Sequence, residues 1–549
     1  MRRGFEVLSL DTPIIGDVRG MRRNLAGCFV ALVIVMLAGC KVGPDFDAPT
    51  APVAAAYLQS GDPAIRTDLQ VDRDWWNVYN DPVLDRLIRT TYAQNLDLMS
   101  AGTRVLAARA QLGIAIGDFY PQTQQFNAGV TYNQASSTDP SGNPNNNIGN
   151  FWRSSLGAQV VWELDFWGKF RRGIESADAV YLGSVANYDA ALVTLIGDVA
   201  TSYIGIRTLE KQIAIAQSNV IRQRKALDIA NARFLGGAST KLDVYQAENV
   251  LAATQATIPQ LTIQLDQGKN ALRVLLGMAP QPLETLLAGP PGIPVPPPQV
   301  AIGIPADLVR RRPDLRAAEL NAAAQSAQIG LAKAELYPAF ILTGSFGTVG
   351  SNIGHAQLDD VFSSKGIGFS FGPSFQWPIL NYGQITNNVR VQDAKLQSLL
   401  LAYQQSVLKA QQEVENGLAA YVGSGRQVAD LRVSYAAATN AERIAVLQYK
   451  LGTRDFTTVL TAEQNLYTAE NNLAIAYGNY SAGLANVYRA LGGGWQIREG
   501  QNFVRGAARE QMRQRTDWGA LLPPEGEPMA VPDLPSATDV NSNIRAPQW

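Results

Sequence analysis

The most extended pattern in the chain is a seven-residue apolar repeat. Val185, Leu192, Val199, Ile206, Ile213, Val220, Leu227 and Phe234 occupy every seventh position. Between them runs a second seam, Tyr188, Leu195, Ser202, Leu209, Ala216, Gln223 and Ala230, rich in small residues. A seven-residue period held this long predicts left-handed supercoiling against partner helices, since 3.5 residues per turn keeps one stripe facing its neighbour. From Gly168 to Leu235 the predicted helix has 68 residues, a rod of about 100 Å at ~1.5 Å per residue. An ordinary globular domain has no room for it.

The pattern then returns 215 residues later as Leu400, Val407, Val414, Tyr421, Val428, Tyr435, Glu442 and Tyr449, broken only by Glu442. Other landmarks keep the same register. Gly168 recurs as Gly383, the turn Phe234-Leu235-Gly236-Gly237 as Tyr449-Lys450-Leu451-Gly452, and Leu276-Gly277 as Leu491-Gly492. Tyr120-Pro121 recurs as Tyr337-Pro338. Self-similarity of this kind predicts one structural unit written twice. The first repeat is placed at 81–288 and the second at 306–494, joined by a Pro/Gly-rich linker, 289–305, that reads as an extended crossover.

Each repeat also carries two stretches of period two, predicted as strands at about 121–136, 151–166, 338–351 and 366–380. Phe126, Ala128, Val130 and Tyr132 alternate with Asn127, Gly129, Thr131 and Asn133. Ile367, Phe369, Phe371, Phe375 and Trp377 alternate with Gly368, Ser370, Gly372, Ser374 and Gln376. A lipid-facing barrel around water gives this alternation, and so does a half-buried soluble sheet. Beyond the N-terminus no uncharged apolar run approaches the ~20 residues of a membrane helix, so a bilayer crossing requires strands. Four strands are too few, because bacterial barrels need at least about eight. Two chains would supply eight, around an interior filled by side chains. Three supply twelve, with twelve long helices to match.

The N-terminus reads as an address. Arg22 and Arg23 precede the apolar stretch Leu25–Leu37, which ends in Leu37-Ala38-Gly39-Cys40. A basic start, a short apolar run and small residues before the cut make a secretory signal peptide over 1–39. Met21 opens the pattern, so residues 1–20 read as an upstream extension from a misplaced start. The cysteine after the small residues resembles a bacterial lipobox, which makes Cys40 the lipidated first residue of a segment spanning 40–80. Lys41 after it, rather than aspartate, favours the outer membrane. Composition removes other classes. A net charge of -1 with 17% charged residues offers no basic field for nucleic acid. Two cysteines and one histidine supply neither a disulfide scaffold nor a Cys/His metal site. His355 has no nucleophile or orienting acid near it in sequence, so the expectation is no enzyme, and no cofactor beyond lipid on Cys40.

Several motifs now stand in order. They are Cys40-Lys41-Val42-Gly43-Pro44-Asp45-Phe46, Trp75-Trp76 before Asp81-Pro82, and Trp162-Glu163-Leu164-Asp165-Phe166-Trp167-Gly168, followed by Arg311-Arg312-Pro313-Asp314 with Ala317-Ala318-Glu319, and Leu491-Gly492-Gly493-Gly494-Trp495. In this order the chain from Cys40 to Trp495 resembles the TolC-like outer-membrane factor family, in its NodT- and OprM-like lipoprotein branch. The resemblance implies a mainly α fold with a small β part. Three chains would form an α-helical barrel continuous with a shared 12-stranded transmembrane β-barrel, four strands per chain. It implies an exit duct that passes small molecules from an inner-membrane pump of the resistance-nodulation-division type, through a periplasmic adaptor, to the exterior. An ATP-driven or type I secretion system is the alternative driver, and a structural periplasmic coiled-coil lipoprotein the alternative class.

The resemblance places two hairpin tips at the closed periplasmic end: Gly236, Gly237, Lys241 and Asp243 in one, Gly452, Arg454 and Asp455 in the other. Glycine ends each long helix through a left-handed residue, and Ser239 or Thr240 is expected to cap the next. Inter-chain ion pairs among Lys241, Asp243, Arg454 and Asp455 would hold the end shut; solvated charges are the alternative. Thr457 and Thr461 stand where some relatives carry a constricting acid ring. Trp162, Trp167 and Trp377 read either as an interfacial belt or as plugs at the strand-to-helix junction. The tail, 495–549, is expected to be poorly ordered and to pack near the barrel's waist.

Overall fold

The computed structural model describes residues 41–67, 73–134, 150–303, 305–306, 311–353 and 355–523. Residues 1–39, expected to be a signal peptide, and Cys40 lie outside these. Along the chain come α1 (Pro82–Gln94), α2 (Leu96–Gly117), β1 (Thr123–Asn133), β2 (Phe151–Leu164), α3 (Lys169–Leu235) and α4 (Lys241–Leu275). The second half holds α5 (Pro313–Ala334), β3 (Ala339–Ser351), β4 (Ile367–Gln376), α6 (Gln384–Lys450), α7 (Phe456–Ala490) and α8 (Gly506–Arg515). α3 and α6 have 67 residues each, and α4 and α7 have 35 each. The internal repeat is therefore present as two copies of helix, strand pair, long helix and return helix.

Local chemistry starts these elements. The Asp81 carboxylate accepts the N–H groups of Val83 at 2.8 Å and Leu84 at 3.3 Å, with Pro82 at the first helical position. Pro313 likewise takes the first helical position of α5, there without a side-chain cap. Gly168 and Gly383, with φ of 76° and 80°, sit where strand bends into long helix.

The heptad seam of α3 is buried at Val185, Leu192, Val199 and Ile206, against α5, α7, α2 and α4. Nearer the tip the buried line passes to Ala216, Gln223 and Ala230, while Phe234 is exposed. An undistorted helix drifts about 20° per heptad against a seven-residue repeat, which carries the second seam into the interior. The most apolar part of α3 reaches a mean hydropathy of 1.3, yet 67% of it is buried in the bundle. It is core.

The four long strands form one antiparallel sheet in the order β1-β2-β3-β4. One cross-strand row reads Phe126, Ala158, Phe346, Phe369; the adjacent row reads Gln125, Gln159, Ser345, Ser370. One face is thus apolar and the other polar, and Phe126, Phe346, Phe369 and Phe371 stand exposed. β1 and β4 each pair on one side only. A bare apolar face with two open edges is a fragment of something closed.

At the strand–helix junction the Trp162, Trp167 and Trp377 indoles donate to the carbonyls of Phe119, Pro338 and Leu336 at 3.2, 2.8 and 3.0 Å. All three tie the junction together. The mature N-terminal segment straps across the same place. Val42 N–H donates to the Trp167 carbonyl at 3.1 Å, and Lys41 Nζ lies 2.6 Å from Glu175. Buried Arg172 holds Asp45 and Glu175, each at 3.0 Å. Gly43 lies so close to Gly330 that a β-carbon would fall 2.4 Å from its Cα.

The tail departs from expectation. Residues 495–523 are packed, and they lie partway down the shaft. Arg498 forms a buried pair with Asp189, with one bond of 2.7 Å, and Phe503 packs edge-on against Tyr188 at 4.9 Å. Arg505 stacks over Tyr92 at 3.7 Å. These anchors outweigh the loose composition around them. Residues 524–549 lie outside the description.

Candidate functional site

The two tips lie side by side, since residues of both form one small apolar cluster. Ala226, Ala230, Val244 and Ala247 of the first hairpin pack with Tyr449, Phe456 and Val459 of the second. Each long helix ends in the same way. Gly237 and Gly452 take φ of 70° and 75°, which lets Ala238 N–H reach the Arg233 carbonyl at 2.8 Å and Thr453 N–H reach that of Gln448 at 3.0 Å. This six-residue closure consumes carbonyls that the helix end would otherwise leave unpaired, and it demands a left-handed residue. Gly236 precedes the turn and is exposed.

The residue that joins the hairpins is Arg233. Its guanidinium lies over the Tyr449 ring at 4.6 Å, donates to the Tyr449 carbonyl, and reaches the Ala238 carbonyl at 3.3 Å. The Tyr449 hydroxyl donates to Asp243 at 3.1 Å, and its ring packs on Phe456 at 5.1 Å. Burial raises the Tyr449 phenol above its ordinary value.

The expected gate charges are distributed accordingly. Within one chain, Asp243 is bound to Tyr449 rather than to a cation. Asp455 caps α7, accepting Thr458 N–H at 3.1 Å and its hydroxyl at 2.6 Å, and these bonds hold its carboxyl below the ordinary range. Lys241 sits over the Tyr245 ring at 5.1 Å. Arg454 is exposed. Thr240 occupies the first cap position without a side-chain bond, so the expected hydroxyl cap at that tip is not formed by Thr240. Thr461 donates to the Thr457 carbonyl at 2.9 Å. Arg233 has no signal in the sequence, because its partner belongs to the other repeat. The structure places His355 exposed in the loop between β3 and β4. No cluster of three or more metal-ligating acidic, His or Cys side chains occurs among the described residues.

Sheet, shaft and tip together define an outer-membrane export channel. The model of the outer membrane efflux protein family matches residues 87–278 and 304–493, and the chain belongs to that family. The two matched stretches coincide with the two repeats. The chain is 30% identical over 432 residues to nodulation protein T of Rhizobium leguminosarum bv. trifolii, covering 79% of this chain and 90% of that one. It is 29% identical over 486 residues to outer membrane protein OprJ of Pseudomonas aeruginosa, covering 88% and 98%. Among solved structures, the outer-membrane channel OprN matches with a TM-score of 0.78 at 31% identity, over 83% of this chain and all of that one. The open state of the Neisseria gonorrhoeae MtrE channel matches with a TM-score of 0.73 at 28% identity, over 83% and 99%. The protein is an outer-membrane efflux channel extending into the periplasm. Its fold is that of the trimeric channels, a helical barrel continuous with a shared β-barrel.

Replacing Arg233 by Ala removes one cation–π contact and its carbonyl bonds, worth about 1–3 kcal/mol locally. Amide exchange in residues 445–456 will accelerate in that variant. Tyr449→Phe, which keeps the ring and loses only the bond to Asp243, will accelerate it less. Unchanged exchange in Arg233→Ala would contradict the role given to Arg233.

Proposed function

We propose that this channel is the exit duct of a tripartite pump of the resistance-nodulation-division type, reached through a periplasmic adaptor that meets the two tips. The single observation that carries the duct is the sheet with an apolar outer face and open edges, continuous with helices long enough to leave the membrane far behind. The relatives support export through a pump without fixing its driver or its cargo. One is a solvent efflux pump outer membrane protein and another an antibiotic efflux pump outer membrane protein, both of Pseudomonas putida; a third is a pyoverdine export protein of that species. In cells carrying the gene, a fluorescent efflux dye will be retained less than in a deletion strain. An uncoupler that collapses the proton gradient while ATP is held constant will erase the difference. A difference that survives the uncoupler would favour the ATP-driven alternative.

Cys40 is the proposed lipid attachment. The strap Lys41–Asp45 is clamped at the strand–helix junction, so an acyl group on the preceding residue would lie beside the rim of the sheet, at the membrane surface. The diacylglycerol that a lipobox cysteine takes brings two acyl chains, enough for stable anchoring, and the barrel adds the transmembrane attachment. Cys40→Ser will lose incorporation of a tagged fatty acid; persistent labelling would refute the assignment.

The tips are the proposed gate. Arg454 and Lys241 are exposed cations there, beside Lys450, placed to meet carboxylates of a neighbouring chain when three tips converge. Because Asp455 also caps α7, the fair substitution is Asn, which caps equally well. Arg454→Gln with Asp455→Asn will raise single-channel conductance, while Lys409→Gln on the shaft will not. Equal conductance in all three channels would mean that apolar packing around Phe456 closes the tube.

A further inference from the structure

One heptad after Phe456, the interior of the second hairpin contains an acid where a coiled coil keeps apolar residues. Glu463 of α7 is 1% exposed. The helix register identifies what it meets. α6 and α7 run antiparallel, with Tyr421 against Gly483 and Tyr449 against Phe456. That register brings Glu442, the one break in the heptad series of α6, level with Glu463. α3 and α7 are likewise antiparallel, with Thr208 against Gly478 and Gln212 bonded to Asn471 at 3.0 Å. Gln223, 3% exposed, falls level with Glu463 from that side.

The layer is poorly satisfied. The Gln223 Oε1 and both amide atoms of Asn219 are buried without a hydrogen-bond partner. No donor among the described residues bonds the Glu463 carboxyl. From α3 the one cation that faces it is Arg222, already paired with Glu470 of α7 at 2.9 Å. From α6 the charge that faces it is Glu442, whose neighbour Arg443 points to solvent. α4 carries no charged residue between Glu248 and Asp266. A buried carboxyl, Glu463, thus faces a half-buried one, Glu442, with one committed cation nearby.

We propose that Glu463, facing Glu442, forms a proton-operated lock between α6 and α7, closed while Glu463 is protonated and loosened once it ionises. A protonated Glu463 can donate a hydrogen bond within the layer and adds no charge. Once ionised, it faces a like charge in a medium that screens poorly. Burial pushes the Glu463 carboxyl up to about 7 from 4.5, with Glu442 adding to the rise and Arg222 opposing it. A carboxyl raised in the packed state contributes its full stabilisation below pH 4.5 and loses it as pH climbs through about 7. The hairpin therefore tightens in acid and loosens near neutrality. The coupling of this lock to conduction rests on the tips being the moving end; the lock itself does not.

Hydrogen exchange of the full-length channel in detergent, corrected for the intrinsic rate, reads the lock directly. From pH 5 to pH 9, exchange in 435–449 and 456–470 will rise at least about tenfold, since each pKa unit is worth tenfold. Glu463→Gln will stay protected throughout, and Glu442→Gln will change the same peptides at a different pH, because the like charge is gone. Absence of a step in the wild type, or a step that persists in Glu463→Gln, overturns the proposal. Should Glu463→Gln not assemble, an unmoved midpoint in Glu442→Gln overturns it equally. Single-channel conductance over the same range separates the two readings: a wild-type exchange step with flat conductance sustains the lock and removes the tip as the gate.

Discussion

Unpaired peptide groups along β1 and β4 are the constraint on which the rest of this structure depends. In hydrocarbon each unsatisfied N–H or carbonyl costs several kcal/mol, so a sheet with Phe126, Phe346, Phe369 and Phe371 on its outer face cannot stand there with free edges. Four strands cannot curl onto themselves at that size. The edges are satisfied by copies of the same chain, and the three-chain barrel follows from the peptide bond as much as from any side chain. The helices inherit that symmetry. Each strand pair feeds one long helix through Gly168 or Gly383, and the junction is locked by the indoles of Trp162, Trp167 and Trp377.

Below the junction the energetics change in kind. The upper shaft is held by burial: Val185, Leu192, Val199, Ile206, Val407 and Val414 are inaccessible to water. Toward the tip, apolar contact thins to alanines and to one cluster around Phe456, and polar interactions take over. Arg233 bridges the hairpins, Asp455 caps one of them, and Glu463 occupies the interior with half-buried Glu442 facing it. A channel needs an end rigid enough to seat in a membrane and an end loose enough to open. The residues divide the shaft accordingly.

The repeat, the heptads and the strand alternation were legible because each is a periodic property of the sequence, and periodicity survives without coordinates. Glu442 was visible for the same reason, as a break in a period. Its counterpart Glu463 was not, since nothing in α7 alone marks which face turns inward. Arg233 was hidden more deeply: its partner Tyr449 lies 216 residues away, and only the adjacency of the two tips makes it a bridge. Asp243 and Asp455 were visible as charges, but their bonds to Tyr449 and Thr458 are local geometry. The tail misled because Pro523, Pro524 and Pro532 mark its far end as loose, whereas Phe503, Val504 and Arg498 decide the packing of its first part. The strap was recognisable as a motif, yet its function as a clamp depends on Arg172 and Gly330, far along the chain.

The central claim is that the open edges of one four-stranded sheet are closed by two further copies. Native mass measurement of the purified protein in mild detergent tests it most directly. The account predicts a single species of three mature chains, which persists on dilution because the shared barrel cannot come apart without exposing its edges. A monomer or a stable two-chain species carrying the folded sheet would contradict it.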